Sequence, residues 1–250
     1  MRISKIEPVK GYGRIASGKR INRAADDAAG MAIAHKLKAT ANATDVATRN
    51  TREGINVTKI ADGGYDSIME RLQGIRELAV RAMNGTNSAS DRQIIQDEID
   101  QQMAGINESA RNTVYNQMKL MDGSYATMEI ASNPTGKGSE IKLESARLDA
   151  LGLAGFSVTG NQIDLDAIDK AIEKVSADRS ALGAQANGLA ARERANQVAY
   201  ENMTAARSRI EDLDVAKAST DLKKEETMQS VQIAMFKKQR EQEGNVTKML

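Results

Sequence analysis

The stretch SGKRINRAADDAAG, residues 17–30, separates a glycine-containing N-terminal segment from a long run of helix-forming residues. Asp26 or Asp27 can accept hydrogen bonds from the free N–H groups at the start of a helix, and a carboxylate there also suits the positive end of the helix dipole. Arg20 and Arg23 can form ion pairs with these two carboxylates. The stretch therefore predicts a capped junction, with a helix that begins directly after the aspartate pair.

The composition favours slender helical packing over a large globular core. Only 3% of the 250 residues are aromatic, and the two prolines leave most of the chain free to be helical. The formal net charge of +1 gives no global field that would hold nucleic acid or an anionic membrane. Cysteine is absent, which excludes disulfides and thiolate metal sites. No apolar run reaches the length of about 18 residues that membrane insertion needs.

Two amphipathic helices are predicted in the first half of the chain, at residues 28 to about 83 and at about 90 to 113. One apolar face of the first helix is made of Ile68, Leu72 and Ile75. Ser88, with Asp91 three residues later, is typical of a capping arrangement at the start of the second helix. Because only a short turn joins the two helices, we expect an antiparallel helical hairpin.

The middle of the chain, residues 114–162, changes to a pattern of short strands and turns. Glycines together with Asp-Gly and Asn-Pro pairs punctuate this region. Two runs of alternating polarity, at 127–131 and 139–144, flank a loop. The pattern predicts a small β-hairpin.

Helix is predicted again from about residue 164 to about residue 210, with an apolar residue at nearly every seventh position. These positions are Ile168, Val175, Leu182, Leu189, Met203 and Ile210, with Asn196 in the remaining slot. Such a repeat is typical of a coiled-coil seam. An amphipathic tail follows and becomes heavily charged over residues 237–243.

The fold class that these patterns predict is mainly α: an elongated antiparallel helical bundle or coiled coil with a small β-hairpin region. Apolar stripes that a single chain cannot bury favour self-association. We therefore expect the stripe residues to pack between subunits. They are Ile68, Leu72, Ile75, Ile168, Val175, Leu182, Leu189, Met203 and Ile210.

No constellation in the sequence points to catalysis. His35 is the only histidine, and the sequence has no H-E-x-x-H pattern. Asp26 and Asp27 are adjacent at a helix start, where capping accounts for them better than a catalytic pair does. The methionines suit helix seams better than a cofactor site. We therefore expect no enzyme activity, and no catalytic, cofactor-binding or metal site is assigned.

The junction at residues 17–30 closely resembles the signature near the N-terminus of bacterial flagellin, the subunit of the flagellar filament. Other stretches resemble the same family in the same order: LQGIRELAV at 72–80, IQDEI at 95–99, SALGA at 180–184 and SRIED at 208–212. The resemblance implies a secreted structural protein that self-assembles helically into the extracellular filament and serves motility. Export as an unfolded chain through the flagellar apparatus would explain why the first residues lack a signal peptide.

The resemblance also implies a domain organisation. Residues 29–210 would form a helical rod domain that includes the β-hairpin region 114–162. Residues 1–28 and 211–250 would form terminal segments of the inner core of the filament. The large variable outer domain of many flagellins would be missing, and the N-terminus would be shortened.

Several partners besides other copies of the chain follow from the resemblance. A flagellar export chaperone would hold the tail from about residue 210 to residue 250, and longer flagellins could share the filament. The residues that match the family's contact with a Toll-like innate immune receptor are Arg76, Glu77, Leu78 and Glu98. Gly74 stands where receptor-active members carry an arginine, so the resemblance implies weak receptor binding, because glycine lacks the bidentate donors of arginine.

Two alternatives stay open on the sequence. A hook–filament junction protein shares the junction pattern and the tail pattern, although it usually has a proline soon after the aspartate pair. The segment DDAAG at 26–30 therefore favours flagellin. A coiled-coil scaffold that is not exported would show the same seam.

Overall fold

A computed structural model of the chain describes residues 11–160 and 162–249. In chain order, the elements are α1 (Gly11–Ser17), α2 (Ala28–Ala82), α3 (Ala89–Asn112), β1 (Val114–Tyr115), β2 (Met118–Lys119), β3 (Thr127–Ile130), β4 (Ser139–Lys142), α4 (Leu165–Glu211) and α5 (Val215–Met249). The mainly helical fold with long, mutually packed helices is confirmed. The three long helices predicted from the sequence correspond to α2, α3 and α4, with ends that differ by one or two residues.

The described residues fall into two compact units. The terminal unit consists of the described parts of Met1–Asn42 and Glu201–Leu250, and the central unit is Ala43–Tyr200. Both boundaries lie inside helices, whereas the predicted boundaries after residues 28 and 210 coincide with the start of α2 and the end of α4. Residues 1–10, which belong to the predicted inner-core segment 1–28, lie outside the described residues, as does Leu250. The inner-core assignment stays a prediction.

In the central unit, α2 and α4 run antiparallel, and ion pairs connect them at intervals. The pairs and their N···O distances are Arg52–Glu193 (2.6 Å), Arg179–Asp62 (2.9 Å), Arg179–Asp66 (2.7 Å) and Arg76–Asp169 (2.7 Å). The partners on α4 move towards its N-terminus as the partners on α2 move towards its C-terminus. Exposed pairs of this kind contribute about 0–1 kcal/mol each. Their main effect is to favour one register between the two helices.

The hairpin of α2 and α3 ends in a well-capped turn. The Asp91 amide donates to the Ser88 hydroxyl (3.2 Å), and the Ser88 amide donates to the Asp91 carboxylate (2.9 Å). This reciprocal capping box confirms the predicted arrangement. The Ser67 and Ser109 hydroxyls lie 3.4 Å apart further along the hairpin.

Two small antiparallel hairpins follow α3. The pairing of β3 with β4, with Thr127 opposite Lys142, confirms the predicted hairpin. The pairing of β1 with β2 was not predicted, because each strand has only two residues. Asn116 and Gln117, at φ of 47° and 67°, form the two-residue turn between them. Asn-Gln is not one of the pairs that usually identify such a turn.

The core of the central unit changes from small to large side chains along α2. In the first part the buried residues are Thr44, Ala47, Thr48, Thr51, Val57, Thr58 and Ala61; in the second they include Tyr65, Ile68, Leu72, Ile75 and Leu78. The Thr48 and Thr51 hydroxyls donate to main-chain carbonyls one turn earlier, which satisfies them without a partner on another helix. At Gly64 a Cβ would lie 2.5 Å from the Thr113 hydroxyl, so close packing against the end of α3 requires glycine there.

Candidate assembly interface

Most of the residues predicted to pack between subunits are covered by their own chain. Seven of them are at most 3% exposed in the core of the central unit: Ile68, Leu72, Ile75, Ile168, Val175, Leu182 and Leu189. A side chain that its own chain covers has no surface left for a second copy. The heptad repeat therefore forms an intramolecular seam in the single chain.

The polar slot in this seam also has an intramolecular explanation. Asn196 is 9% exposed, and its side-chain amide donates to the Ser132 carbonyl at 3.0 Å. The seam thus accepts one polar side chain where the loop after β3 supplies an acceptor.

Met203 and Ile210 behave differently from the seven buried residues. Both lie in the terminal unit and are half-buried, so they retain accessible surface. Packing between subunits stays a prediction, and of the nine residues these two have the surface to take part in it.

An exposed apolar surface of the terminal unit lies on α5. Met228 is 56% exposed, Val231 51% and Met235 69%. These residues are spaced by three and four positions, so they lie on one side of the helix, which we call the α5 apolar face. Phe236 is also exposed, on another side of α5.

Helix α1 covers a different side of α5. A Cβ at Gly11 would lie 2.8 Å from a methyl carbon of Leu222, and the Tyr12 hydroxyl donates to Glu226. This hydrogen bond raises the pKa of Tyr12 above its ordinary range. Val231 follows Leu222 by about two and a half helical turns, which places it on the opposite side of α5. The α5 apolar face is therefore turned away from α1.

The junction at residues 17–30 is built as a pair of carboxylate caps. Asp27 accepts a hydrogen bond from the Gly30 amide at 2.8 Å and so caps α2. Asp26 accepts from the amides of Asn22 (3.1 Å) and Arg23 (3.0 Å) and caps the preceding turn. At Gly30 a Cβ would lie 2.3 Å from the Asp27 carboxylate, so this cap requires glycine at position 30.

The ion pairs of the junction agree only in part with those predicted from the sequence. Arg20 lies 3.6 Å from Asp27, as expected. Asp26 pairs with Arg14 at 2.9 Å, and within the described residues no ion pair involves the side chain of Arg23. The hydrogen bond from Arg14, together with the two amide donors, lowers the pKa of Asp26. Arg14 replaces Arg23 because α1 is helical and directs the Arg14 side chain towards the turn.

The junction also holds the segment between α4 and α5, in an arrangement that we call the terminal clasp. The Arg20 amide donates to the Glu211 carbonyl (2.8 Å), and the Leu213 amide donates to the Gly18 carbonyl (3.0 Å). The Arg20 side chain donates to the Ile210 carbonyl at 2.6 Å. Gly18 adopts φ of 65°, a conformation that favours glycine.

Sequence reasoning did not identify the clasp, because its contacts are mainly between main-chain atoms. One local signal was available at the start of α5. Asp214 accepts a hydrogen bond from the Lys217 amide at 3.0 Å and acts as the N-terminal cap. An aspartate one residue before an amphipathic run is a usual start signal for a helix, and it marks the break between α4 and α5.

A cavity of about 270 Å³ lies beside the clasp, and His35 lines it with Ile21, Met31 and Lys38. Within residues 11–160 and 162–249, no group of His, Cys, Asp and Glu side chains could hold a metal ion. In the same part of the chain, no helix has the length and apolar character needed to cross a membrane.

The residues that match the receptor contact divide into two groups. Arg76, Glu77 and Glu98 are exposed, whereas Leu78 is only 6% exposed and belongs to the core. Arg76 is already engaged with Asp169, which raises the pKa of the guanidinium. Around Gly74 a Cβ would meet no atom within 4 Å, so the position has room for a side chain.

Comparison with protein families gives two matches that together span most of the chain. The model of the bacterial flagellin N-terminal helical region matches residues 2–126, and the model of the bacterial flagellin C-terminal helical region matches residues 165–250.

Individual relatives agree with the family models. The chain is 35% identical to a flagellin of Halalkalibacterium halodurans, over 100% of this chain and 94% of the relative. It is 32% identical to a flagellin of Bacillus subtilis, over 96% of this chain and 92% of the relative. The crystal structure of Bacillus cereus flagellin matches 59% of this chain and 88% of that chain, with a TM-score of 0.52 and 25% identity.

Proposed function

Because this chain belongs to the bacterial flagellin family, we propose that its exposed α5 apolar face joins it to other copies of itself. The chain is a structural subunit of the extracellular flagellar filament, in which many copies assemble. The family is structural and not enzymatic, and we propose no catalytic activity for this chain. The two alternatives, a hook–filament junction protein and a scaffold that is not exported, gain no support from these relatives.

The observation that carries the proposal is the different burial of two apolar surfaces. The seam of α4 is covered within one chain, whereas Met228, Val231 and Met235 on α5 are each more than half exposed. Complete burial of one such side chain stabilises by about 1.5–3 kcal/mol. Burial of the α5 apolar face against a partner therefore stabilises the assembly by several kcal/mol per subunit. In a filament, other copies of the chain are the partners that bury it.

The test is a double substitution on the face, Val231→Asp with Met235→Asp. We expect the protein concentration needed for growth from filament seeds to rise about 100-fold or more, because two buried apolar contacts are lost. Sedimentation and electron microscopy measure assembly. Circular dichroism and the unfolding midpoint of the unassembled chain should stay close to wild type, because both side chains are exposed in the single chain.

A matched control adds the same charge on another side of α5. Ser219 and Ser230 are exposed and lie away from the α5 apolar face. Ser219→Asp with Ser230→Asp should leave assembly near the wild-type concentration. Normal assembly of the Val231 and Met235 double variant would refute the proposed interface.

We propose that a flagellar export chaperone covers the same surface before assembly, within the tail from residue 210 to residue 250. An exposed apolar helix face must be bound by another protein in the cell before assembly, because contiguous apolar surface promotes aggregation. The double variant on the face should therefore lose chaperone binding as well, whereas the serine variant keeps it. Calorimetric titration of the purified chain with the chaperone measures both.

Longer flagellins are proposed as partners through the same face. Co-assembly on seeds made of a longer flagellin tests this, and it should show the same dependence on Val231 and Met235.

We propose that the Toll-like innate immune receptor binds this chain weakly. Glu77 and Glu98 are exposed, whereas the exposed Arg76 side chain is already paired with Asp169 and Leu78 is buried in the single chain. Gly74 offers no side chain at the position where receptor-active members carry arginine. Restoring that arginine, as Gly74→Arg, is the test, with receptor activation in reporter cells as the measurement.

A further inference from the structure

We propose that Asn84 is a site of spontaneous deamidation, at which the chain converts an asparagine into aspartate and isoaspartate without an enzyme. The site lies in the turn between α2 and α3, outside the α5 apolar face. The reaction does not depend on how the copies assemble. It requires only that the Asn84 side chain lies against the peptide bond that follows it.

The turn presents Asn84 in a geometry that favours attack on its side chain. Asn84 is exposed, and its side-chain oxygen accepts a hydrogen bond from the Thr86 amide at 3.2 Å. Such an Asx turn folds the side chain forward over the peptide bond to Gly85. The side-chain carbonyl carbon is thereby brought beside the Gly85 nitrogen, which is the atom that must attack it.

The nucleophile is also accessible. Within the described residues, the Gly85 N–H has no hydrogen-bond acceptor. A Cβ at Gly85 would meet no atom within 4 Å, so water reaches this peptide bond freely. Glycine adds no side chain that would hinder the approach of its nitrogen to Asn84.

The reaction is balanced with water as the only co-reactant. The Gly85 nitrogen loses its proton and forms a bond to Cγ of Asn84, the bond from Cγ to Nδ2 breaks, and ammonia leaves. The resulting succinimide then adds one water molecule. Opening at Cγ gives aspartate, whereas opening at the main-chain carbonyl carbon gives isoaspartate, which carries one extra methylene in the main chain.

The chain contains its own control, because the sequence has one other Asn-Gly pair. Asn187 and Gly188 are both exposed, and a Cβ at Gly188 would also meet no atom within 4 Å. This pair lies well inside α4, where the helix fixes the main chain. The Gly188 nitrogen is held in helical geometry and cannot approach the Asn187 side chain. Loss of a near-attack geometry slows a reaction by up to about 100-fold.

Conversion at Asn84 changes the charge of the turn between α2 and α3. The product adds a carboxylate just beyond the C-terminal end of α2, where negative charge is unfavourable. It also alters the residue whose carbonyl accepts a hydrogen bond from the Asn87 amide at 3.1 Å. Each conversion removes one unit from a formal net charge of +1. Converted and unconverted chains are therefore separable by ion exchange.

The experiment is prolonged incubation of the full folded chain in mildly alkaline buffer, followed by peptide mapping with mass spectrometry. We expect deamidation at Asn84 to exceed that at Asn187 by about tenfold or more. In denaturant, both pairs should react at similar rates, because the helix no longer protects Asn187. Equal rates at the two sites in the folded chain, or no conversion at Asn84, would overturn the proposal.

A variant separates local chemistry from general exposure. Gly85→Ala fits the open space at this position and does not require positive φ. It should slow conversion at Asn84 about tenfold, because the methyl group hinders approach of the nitrogen. The rate at Asn187 should not change. Conversion at Asn84 that is equally fast in this variant would also overturn the proposal.

Discussion

Helices α4 and α5 carry apolar residues at similar helical spacing but present them to opposite environments. Along α4, Ile168, Val175 and Leu182 are buried against the rest of the central unit. Along α5, Met228, Val231 and Met235 are exposed. The difference lies in the partners that the described residues supply: α4 packs against the long helix α2, whereas α5 packs against the short helix α1 on the side of Leu222.

The comparison shows that an amphipathic repeat identifies a surface to be buried but does not identify what buries it. A repeat covered within the chain stabilises the fold of each copy. A repeat that stays exposed can stabilise an assembly instead. Substitutions in the two helices should therefore affect different measurements.

The largest expected effect on stability comes from truncating the seam of α4. Leu182→Ala removes a side chain that is 3% exposed and should destabilise the central unit by about 2–5 kcal/mol. Chemical denaturation of the unassembled chain measures it. Met235→Ala on α5 is the matched change and should alter this stability by less than about 0.5 kcal/mol. Equal losses would show that the two surfaces do not differ in the single chain.

A smaller effect is expected from the cap of α2 in the terminal unit. Gly30→Ala places a methyl group 2.3 Å from the Asp27 carboxylate and should displace it, with a loss of about 0.5–2 kcal/mol. Thermal unfolding followed by circular dichroism measures it. Gly13→Ala, inside α1 with no atom near its Cβ, should instead be neutral or slightly stabilising. Destabilisation by both variants to the same extent would argue against a special role for the cap.

Gly74, a half-buried position on α2, allows a substitution that changes function without loss of stability. Gly74→Arg has room for its side chain and should leave the fold intact, with a gain of about 0.5–1 kcal/mol from helix propensity. A reporter-cell assay should show about tenfold stronger activation of the Toll-like receptor, because arginine adds charge-assisted hydrogen bonds. Gly74→Ala controls for the helix effect and should not raise activation.

The smallest effects concern two aspartates of α4 whose pKa values shift in opposite directions. Burial, and then the charge of Glu144, raise the pKa of Asp178 above its ordinary 3.8, whereas Lys174 acts in the opposite direction. The hydrogen bond from Arg76 lowers the pKa of Asp169. One group therefore opposes folding when ionised, and the other favours it.

Because the two pKa values shift in opposite directions, the two aspartates should affect the free energy of unfolding in opposite ways as the pH changes. Ionisation of Asp178 costs stability as the pH rises from 3.8 through the raised pKa, so Asp178→Asn should stabilise at neutral pH and have no effect in strong acid. Asp169 contributes stability above 3.8 that is lost as the pH falls through its lowered pKa, so Asp169→Asn should destabilise at neutral pH. Denaturation at a series of pH values measures both. Changes of the same sign at neutral pH would contradict this account.

The long helices and the β3–β4 hairpin could be predicted because their signals are local. Apolar spacing identified α2, α3 and α4, and the Ser88 and Asp91 pair identified the start of α3. The strands β1 and β2 were missed, because strands of two residues have too few positions to show alternation.

The candidate interface could be predicted less well, for a physical reason. Spacing alone could not show that Leu72 and Leu189 are covered within one chain whereas Val231 is not, because burial depends on residues distant in sequence. Leu78, which matches the family's receptor contact, is a core residue of α2, and its contact with the receptor stays a prediction. The family resemblance identified the function, and the structure shows which surfaces remain available for it.

The terminal clasp has a consequence for how freely this chain can change. Its two main bonds, from Arg20 to Glu211 and from Leu213 to Gly18, join atoms that nearly every amino acid possesses. Most replacements at Arg20 or Leu213 would leave the link between the two ends intact, and only proline would delete a donor. Substitutions can therefore accumulate at these two positions while the main-chain hydrogen bonds between the beginning and the end of the polypeptide are kept.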